Sequence, residues 1–336
     1  MATFKAEVVK VEVTNHPNAD RLDLIKVKGW QCVSQKGQFK TGDLAVYLPI
    51  DSVLPEALVK ALGIEKMYHK KLRTIKLRGS ISQGIVAKLD INPSYPTMYE
   101  GGVTEGIDFT QDLGITKWEE PIPVQMRGKV RQTDPNFIRY TDIENYKNYP
   151  NSYSEGIMVV ATEKIHGTNF RVANIDGVIH VGSHRMDLCE EENNLYWRAA
   201  EILKAKEKLL PGEQVFAEVY GSGVQDLNYG LKSGQINVAI FDIWKDSKFL
   251  DYTDYIQYLL AKGWQDLATP VVYMGEWNLD LPKMSDGQSI LCPDQIREGI
   301  VIRPMQEAWS PYLNGRLIIK CVSDTYLLRK EGTERH

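Results

Sequence analysis

Residues 4–13 alternate apolar and polar positions as a half-buried strand does. The polar run from Asn15 to Asp20 then predicts a turn, followed by strands at 22–27 and 31–34. Lys40, Thr41, Gly42 and Asp43 turn the chain into a strand at 44–48, and residues 84–89 supply another. Short strands at turn-separated intervals predict a small β-barrel rather than a parallel sheet.

From about Asn92 to Pro150 the periodicity fades, and Pro93, Pro96, Pro121, Pro123 and Pro135 punctuate the segment. A linker at 116–155 is therefore expected between a first domain at 1–115 and a second at 156–336. Strand patterns return at 158–162, 170–174, 178–181, 214–220, 236–244, 299–303 and 316–322. Between them, residues 191–209 predict one amphipathic helix with Leu195, Ala199, Ile202 and Leu203 on one face, stopped by Pro211 and Gly212. A second helix is predicted over 253–262, ended by Gly263. Strands with interspersed helices indicate an α+β domain.

No run approaches the roughly 18 apolar residues of a membrane span, and the N-terminus leads straight into a strand pattern without an apolar export segment. Cys32, Cys189, Cys292 and Cys321 are far apart and form no C-x-x-C pair. That argues against a zinc ribbon or a disulfide framework and suits a reducing, cytoplasmic location. The net charge of −4 hides a local asymmetry. Lys66, Lys70, Lys71, Arg73, Lys76 and Arg78 lie close together in sequence, with Glu65 as the acid beside them. Local basic clusters, rather than net charge, mark phosphate-contacting surfaces, although a solvated basic face has the same composition.

The candidate chemistry centres on Lys164-Ile165-His166-Gly167-Thr168-Asn169, between two strand patterns. The lysine is expected in a tight turn that Gly167 relaxes. A lysine amine has a free pKa of about 10.4, so a nucleophilic role requires nearby cations or burial to lower it. Taken alone, K-x-x-G is equally a surface turn. No G-x-x-x-x-G-K-[ST] loop, H-E-x-x-H or G-x-S-x-G competes with it. Tyr220-Gly221-Ser222-Gly223 lacks the third glycine of a dinucleotide loop and reads as a turn.

The Lys164–Asn169 segment resembles motif I of the covalent nucleotidyltransferase superfamily, which holds RNA ligases, DNA ligases and mRNA capping enzymes. The later motifs follow in order. Ser183-His184-Arg185 resembles motif Ia, Phe216-Ala217-Glu218-Val219-Tyr220-Gly221 motif III, and Phe241-Asp242-Ile243 motif IIIa. Glu298-Gly299-Ile300-Val301-Ile302-Arg303 resembles motif IV, and residues 317–323, around Lys320, resemble motif V. The resemblance implies ATP and Mg²⁺ or Mn²⁺ as cofactors, with Lys164, His166 and Lys320 catalytic. It implies nucleotide contacts from Glu163, Gly167, Asn169, Arg185, Glu218, Phe241, Glu298 and Lys320, with Glu218 and Glu298 also serving the metal. Motif V often carries a second lysine where Val322 stands here, so one phosphate contact is missing or Arg303 or Arg316 supplies it.

His16-Pro17-Asn18-Ala19-Asp20, together with Leu77-Arg78-Gly79-Ser80-Ile81-Ser82-Gln83-Gly84, resembles a tRNA-binding OB module. The implied architecture is an N-terminal OB-like β-barrel followed by an antiparallel-sheet nucleotidyltransferase domain. That order resembles one branch of RNA ligases, which seals 3′-OH/5′-phosphate nicks in RNA-containing duplexes. Fourteen residues follow Val322, an arrangement that disfavours the DNA-ligase and capping-enzyme layouts. RNA is the expected partner, with no membrane and no obligate protein partner. A DNA ligase, a GTP-using capping enzyme and a catalytically inactive RNA-binding protein remain as alternatives.

Overall fold

The structure is a computed structural model that describes residues 3–91, 102–119 and 128–329. Pro93, Pro96, Pro121 and Pro123 lie outside the described residues. The chain divides into two compact units. One comprises Met1–Glu120, Glu144–Pro150 and Asp324–His336, and the other Pro121–Ile143 and Asn151–Ser323. The expected linker at 116–155 is thus divided between the units, and the tail after Ser323 joins the first rather than the second. The reason is burial: within the second unit Phe137, Tyr140 and Tyr153 are core residues, so proline content here did not signal a solvated tether.

In the first unit, two three-stranded antiparallel sheets form the expected small barrel-like module. One runs Glu7–Lys10, Leu44–Leu48, Ile85–Ala87; the other runs Glu12–Asn15, Leu22–Val27, Trp30–Gln35. The predicted continuous strand at 4–13 is interrupted at Val11, whose N–H donates to Asp43 O, so the chain passes from one sheet to the other. Ala6, Val8, Val46, Leu48, Leu54, Phe109 and Ile115 form the core. The basic stretch carries a hairpin the sequence pattern did not predict, Thr74–Leu77 with Ser80–Gln83. His16 is buried under it: its Nε2 lies 3.0 Å from Leu77 O, while Asn18 donates to Arg78 O at 3.3 Å. The two turns that carry the OB resemblance therefore hold each other. Three distant segments of this unit also meet, because Lys147 Nζ donates to Gln83 Oε1 (2.8 Å) and Asp324 Oδ1 (2.7 Å).

The second unit contains two antiparallel sheets. The larger has seven strands, ordered Val130–Arg131, Asp187–Leu188, Val178–Ser183, Thr168–Ile175, Gln214–Gly221, Ile236–Lys245, Lys248–Phe249. The other holds, in order, Ile319–Val322, Gly299–Pro304, Met158–Lys164 and Val271–Glu276, the last a strand missed in the sequence pattern. Helices Leu195–Ile202 and Tyr252–Lys262 bury Leu195, Trp197, Ala199, Tyr255 and Leu259 against Phe170, Val172, Val215, Ala217 and Ile240. The single helix predicted at 191–209 is two, Leu195–Ile202 and Ala205–Lys208, because Lys204 adopts φ +50° and breaks the ladder. Asn194 caps the first through a bond from Tyr196 N, and Gly263 at φ +65° ends the Tyr252–Lys262 helix. No described helix is long and apolar enough to cross a membrane.

The two sheets of this unit are tied by a buried ionic network. Asp242, fully buried on the Ile236–Lys245 strand, lies 2.9 Å from Arg303 Nη1 on the facing sheet. Arg316 Nη2 reaches its other oxygen at 2.7 Å, and Tyr140 donates to it at 2.8 Å. Arg316 also forks onto Glu307 and lies 3.6 Å over the Phe249 ring. Burial opposes ionisation of Asp242, but the two guanidiniums outweigh it and hold its carboxyl below the usual range. Breaking a buried pair by removing one charge costs about 3–5 kcal/mol. Asp242→Asn is accordingly expected to lower the thermal midpoint by roughly 10 °C in a calorimetric or circular-dichroism melt.

Candidate active site

Lys164 is the last residue of the Met158–Lys164 strand, paired across to Gly299, and the turn begins only after it. That corrects the expectation of a lysine within the turn. Gly167 is likewise required for a different reason than the one expected. Its φ is not positive; rather, a Cβ there would meet Val219 O at 2.1 Å and Glu218 Cγ at 2.9 Å. The turn thus presses against the Gln214–Gly221 strand, and only a residue without a side chain allows that approach. Gly299 shows the same constraint, with Cys321 O at 2.2 Å from a built Cβ.

The central group is Glu298, whose side chain is 1% exposed. One oxygen lies 2.7 Å from Lys164 Nζ, and the other lies 3.3 Å from His166 Nδ1. Burial pushes its pKa up, but the Lys164 ammonium and His166 more than offset that, leaving it at about 2. Motifs I and IV are therefore joined by direct ionic contact. Lys164 is seated as half of an ion pair, so its amine must surrender a proton before it can attack. Lys320 is buried on the Ile319–Val322 strand, which Gly299–Pro304 separates from the lysine strand. Thr162 pairs with Val301 and Val301 with Lys320, so these side chains share one sheet face. Lys164, two residues beyond Thr162, is on that face as well.

Asn169 and Glu218 are direct cross-strand partners. Asn169 Oδ1 is buried and has no donor among the described residues. Glu163, 1% exposed, accepts from Ile290 N at 2.7 Å with one oxygen, while the other has no hydrogen-bond donor among the described residues. Both are acceptors that a bound molecule could satisfy. Phe241 is the extra residue of a β-bulge, since Phe216 pairs with Asp242 and Ala217 with Ile240. A bulge re-aims a side chain; Phe241 is half-buried and packs edge-on against Tyr140 at 4.8 Å, in a cluster that includes Val301. Arg185 is exposed on a turn whose shape is fixed by Gly182, where a Cβ would lie 1.9 Å from Met186 O.

One sequence expectation changes, the source of a second phosphate contact. Glu298 has both oxygens engaged by Lys164 and His166. Glu218, beside the open acceptor of Asn169, fits the waters of a hydrated Mg²⁺ or Mn²⁺ ion better than a dehydrated cage, and no group of three metal-binding side chains occurs among the described residues. Arg303 and Arg316 do not stand in for the second motif V lysine, because both are committed to Asp242. Sequence reasoning missed the loop after Gly221. From it Asp226 Oδ1 lies 2.6 Å from His166 Nε2, the Tyr229 hydroxyl accepts from His166 N at 2.6 Å, and Gln225 donates to Gly167 O at 3.2 Å. The only hint in the chain was a polar stretch directly after motif III.

In the first unit, Lys66, Lys70, Lys76 and Arg78 are exposed and Arg73 is half-buried. Lys71 differs: its Nζ is 2.7 Å from Asp51 Oδ1, with the lysine side chain 10% exposed. It supports the fold of this unit rather than its basic surface.

Two antiparallel sheets carry a strand-terminal lysine paired to a buried glutamate, with a second lysine on the same sheet face, the arrangement expected of a covalent nucleotidyltransferase. Residues 157–322 match the RNA ligase family model, and residues 5–89 match an OB-fold domain model. Among solved structures, an RNA ligase of Naegleria gruberi with pyrophosphate is 28% identical over 97% of this chain and 98% of that one, with a TM-score of 0.81. A variant of that ligase with ATP and manganese is 28% identical over 96% of this chain and 97% of that one, at a TM-score of 0.80. Another variant, with AMP and manganese, covers the same shares at 28% identity and a TM-score of 0.78. A search of curated proteins gave no match. Residues 157–322 are thus similar to RNA ligases and residues 5–89 to an OB-fold domain ahead of them.

Two outcomes follow from this geometry. Gly167→Ala forces a methyl group onto the Val219 carbonyl, which costs about 1–3 kcal/mol; a lowered denaturation midpoint together with lost activity is expected. Glu298 has a depressed folded-state pKa, so its contribution to stability is complete above its unfolded value of about 4.3. It is lost as pH falls towards the folded value of about 2. Urea melts between pH 6 and pH 2.5 should show a steeper loss below pH 4.5 for wild type than for Glu298→Gln.

Proposed function

We propose that this chain is an ATP-dependent ligase that seals 3′-OH/5′-phosphate ends at nicks in RNA-containing duplexes through a Lys164–AMP intermediate. The observation that carries the reading is the Lys164–Glu298 contact of 2.7 Å on the sheet face shared with Lys320. In the first step Lys164 Nζ loses a proton and bonds to the α-phosphorus of ATP, while the bond to the pyrophosphate oxygen breaks. In the second, an oxygen of the RNA 5′-phosphate takes that phosphorus and the nitrogen–phosphorus bond breaks, leaving an AMP-capped 5′ end. In the third, the 3′-hydroxyl oxygen attacks the 5′-phosphorus, AMP leaves, and the strand is continuous.

Such transfers depend on positioning and charge neutralisation more than on covalent help from the protein. Lys320 would neutralise the α-phosphate, and Arg185 offers a fork of donors to ribose or phosphate oxygens. Phe241 presents an aromatic face for adenine. The open acceptors on Glu163 and Asn169 suit the amino and hydroxyl donors of the nucleotide. A hydrated Mg²⁺ or Mn²⁺ ion near Glu218 would supply charge neutralisation of the triphosphate. The Naegleria gruberi ligase structures with ATP and manganese support this set of ligands. On the OB unit, Lys66, Lys70, Lys76 and Arg78 would meet backbone phosphates, giving binding that weakens steeply with salt.

Incubation with α-labelled ATP and a divalent cation should yield a covalently labelled protein that Lys164→Ala does not give. Label taken from GTP instead would indicate a capping enzyme, and absence of any adduct would leave an RNA-binding protein. On nicked duplexes that differ only in the 3′-terminal sugar, deoxyribose should slow sealing at least about tenfold, since the 2′-hydroxyl is what distinguishes RNA from DNA at a given site. Equal rates on the two sugars would remove the RNA specificity.

A further inference from the structure

The loop between the Gln214–Gly221 and Ile236–Lys245 strands holds the turn after Lys164 at three points. Gln225 donates to Gly167 O, Tyr229 accepts from His166 N, and Asp226 faces His166 Nε2. The loop is itself anchored: Tyr229 N donates to Gln295 Oε1 at 2.8 Å, and Gln295 Nε2 donates to Asn228 Oδ1 at 3.1 Å. Gln295 stands three residues before Glu298, so the loop ties the lysine turn to the segment that delivers the glutamate. Tyr229 occupies φ +53°, a conformation bulky residues rarely adopt. Strain of that kind persists only where the surroundings over-determine it. Here it sets the Tyr229 hydroxyl against the His166 amide.

His166 is 1% exposed, and each of its ring nitrogens faces a carboxylate, Glu298 at Nδ1 and Asp226 at Nε2. A ring with one fixed partner can still swing about the bond to that partner; two partners on opposite nitrogens fix its plane. The side chain of Asp226 is 39% exposed, so it contributes little to the core. Its Oδ1 lies 2.6 Å from the ring Nε2.

Resting on the function proposed above, the geometry points to Asp226 as the positioning residue for His166, and through it for the transfer of AMP from Lys164 to the RNA 5′-phosphate. In the free enzyme two groups, Lys164 and His166, compensate the buried charge of Glu298. Once the Lys164 nitrogen is bonded to phosphorus it is no longer an ammonium group. The compensation then falls on His166, at the stage when the nitrogen–phosphorus bond must break. A ring left free to turn away from Glu298 would unbalance the site at that stage more than in the first.

The test measures each chemical step separately, at fixed pH and saturating metal. Step one is read with α-labelled ATP, step two by transfer from purified adenylylated enzyme to a nicked duplex, and step three on a pre-adenylylated nick. Wild type is run first; failure to label it overturns the function proposed above and is distinct from the result sought here. Given labelling, Asp226→Ala is expected to slow step two by roughly 30- to 100-fold, the scale of a misplaced reacting group, and step one by less than about fivefold. Asp226→Asn, which keeps an acceptor for the ring N–H, should recover part of the loss. On a His166→Ala background, Asp226→Ala should change step two by less than about twofold, because the ring it positions is gone. Thermal midpoints confirm folding, and Tyr229→Phe, which removes one hydroxyl, provides a second variant with the same step-two bias. Equal slowing of all three steps, or a full additional loss on the His166→Ala background, overturns the assignment.

Discussion

A carboxylate buried without compensation would not remain ionised, and the active site is built around one that does. Glu298 keeps its charge because Lys164 and His166 approach it from two elements, a strand end and the turn after it. That requirement explains the glycines. Gly299 lets the Glu298 segment press against the Ile319–Val322 strand, and Gly167 lets the lysine turn press against Gln214–Gly221. A methyl group at either position would collide with a backbone carbonyl and move one member of the ion pair away from the other. Catalytic geometry and backbone packing are here the same constraint.

The candidate site residues are distributed over both sheets of the second unit. Lys164 and Lys320 lie on one sheet, with Glu298 immediately before a strand of it, while Asn169, Glu218 and Phe241 lie on the other. A site assembled this way is only as well defined as the seam between the sheets. Apolar packing alone tolerates sliding, whereas the Asp242 network with Arg303, Arg316 and Tyr140 has one geometry in which every charge is met. The bulge that releases Phe241 from the ladder lies next to Asp242, so the aromatic platform and the seam are set by neighbouring residues.

Much of this was legible in the chain because the informative residues are local. The strands at Leu22–Val27 and Leu44–Leu48 are bounded by clear turn residues and occur at the bounds expected from the sequence. The ordered motifs from Lys164 to Lys320 include the three residues, Lys164, His166 and Glu298, that the second unit joins directly. Features that depend on distant contacts were not legible. Nothing within the 253–298 segment announces that Val271–Glu276 will pair with the lysine strand. Nor does Lys71 look different from Lys70 until Asp51 folds back onto it. Asp226 and Tyr229 are ordinary loop residues in sequence and become significant only where the loop meets His166. The break at Lys204 had no glycine or proline to mark it, and so a single helix was the natural reading.

The first unit is assembled from three stretches of chain, and Lys147 joins Gln83 to Asp324 across 241 positions. During synthesis its barrel strands would leave the ribosome early, yet their polar partner Asp324 would emerge only after the whole second unit. The two units therefore cannot mature in simple order from one end to the other. The later-synthesised unit lies, in time, inside the earlier one, and until Asp324 is made Lys147 has Gln83 and the Trp30 ring but not its carboxylate partner.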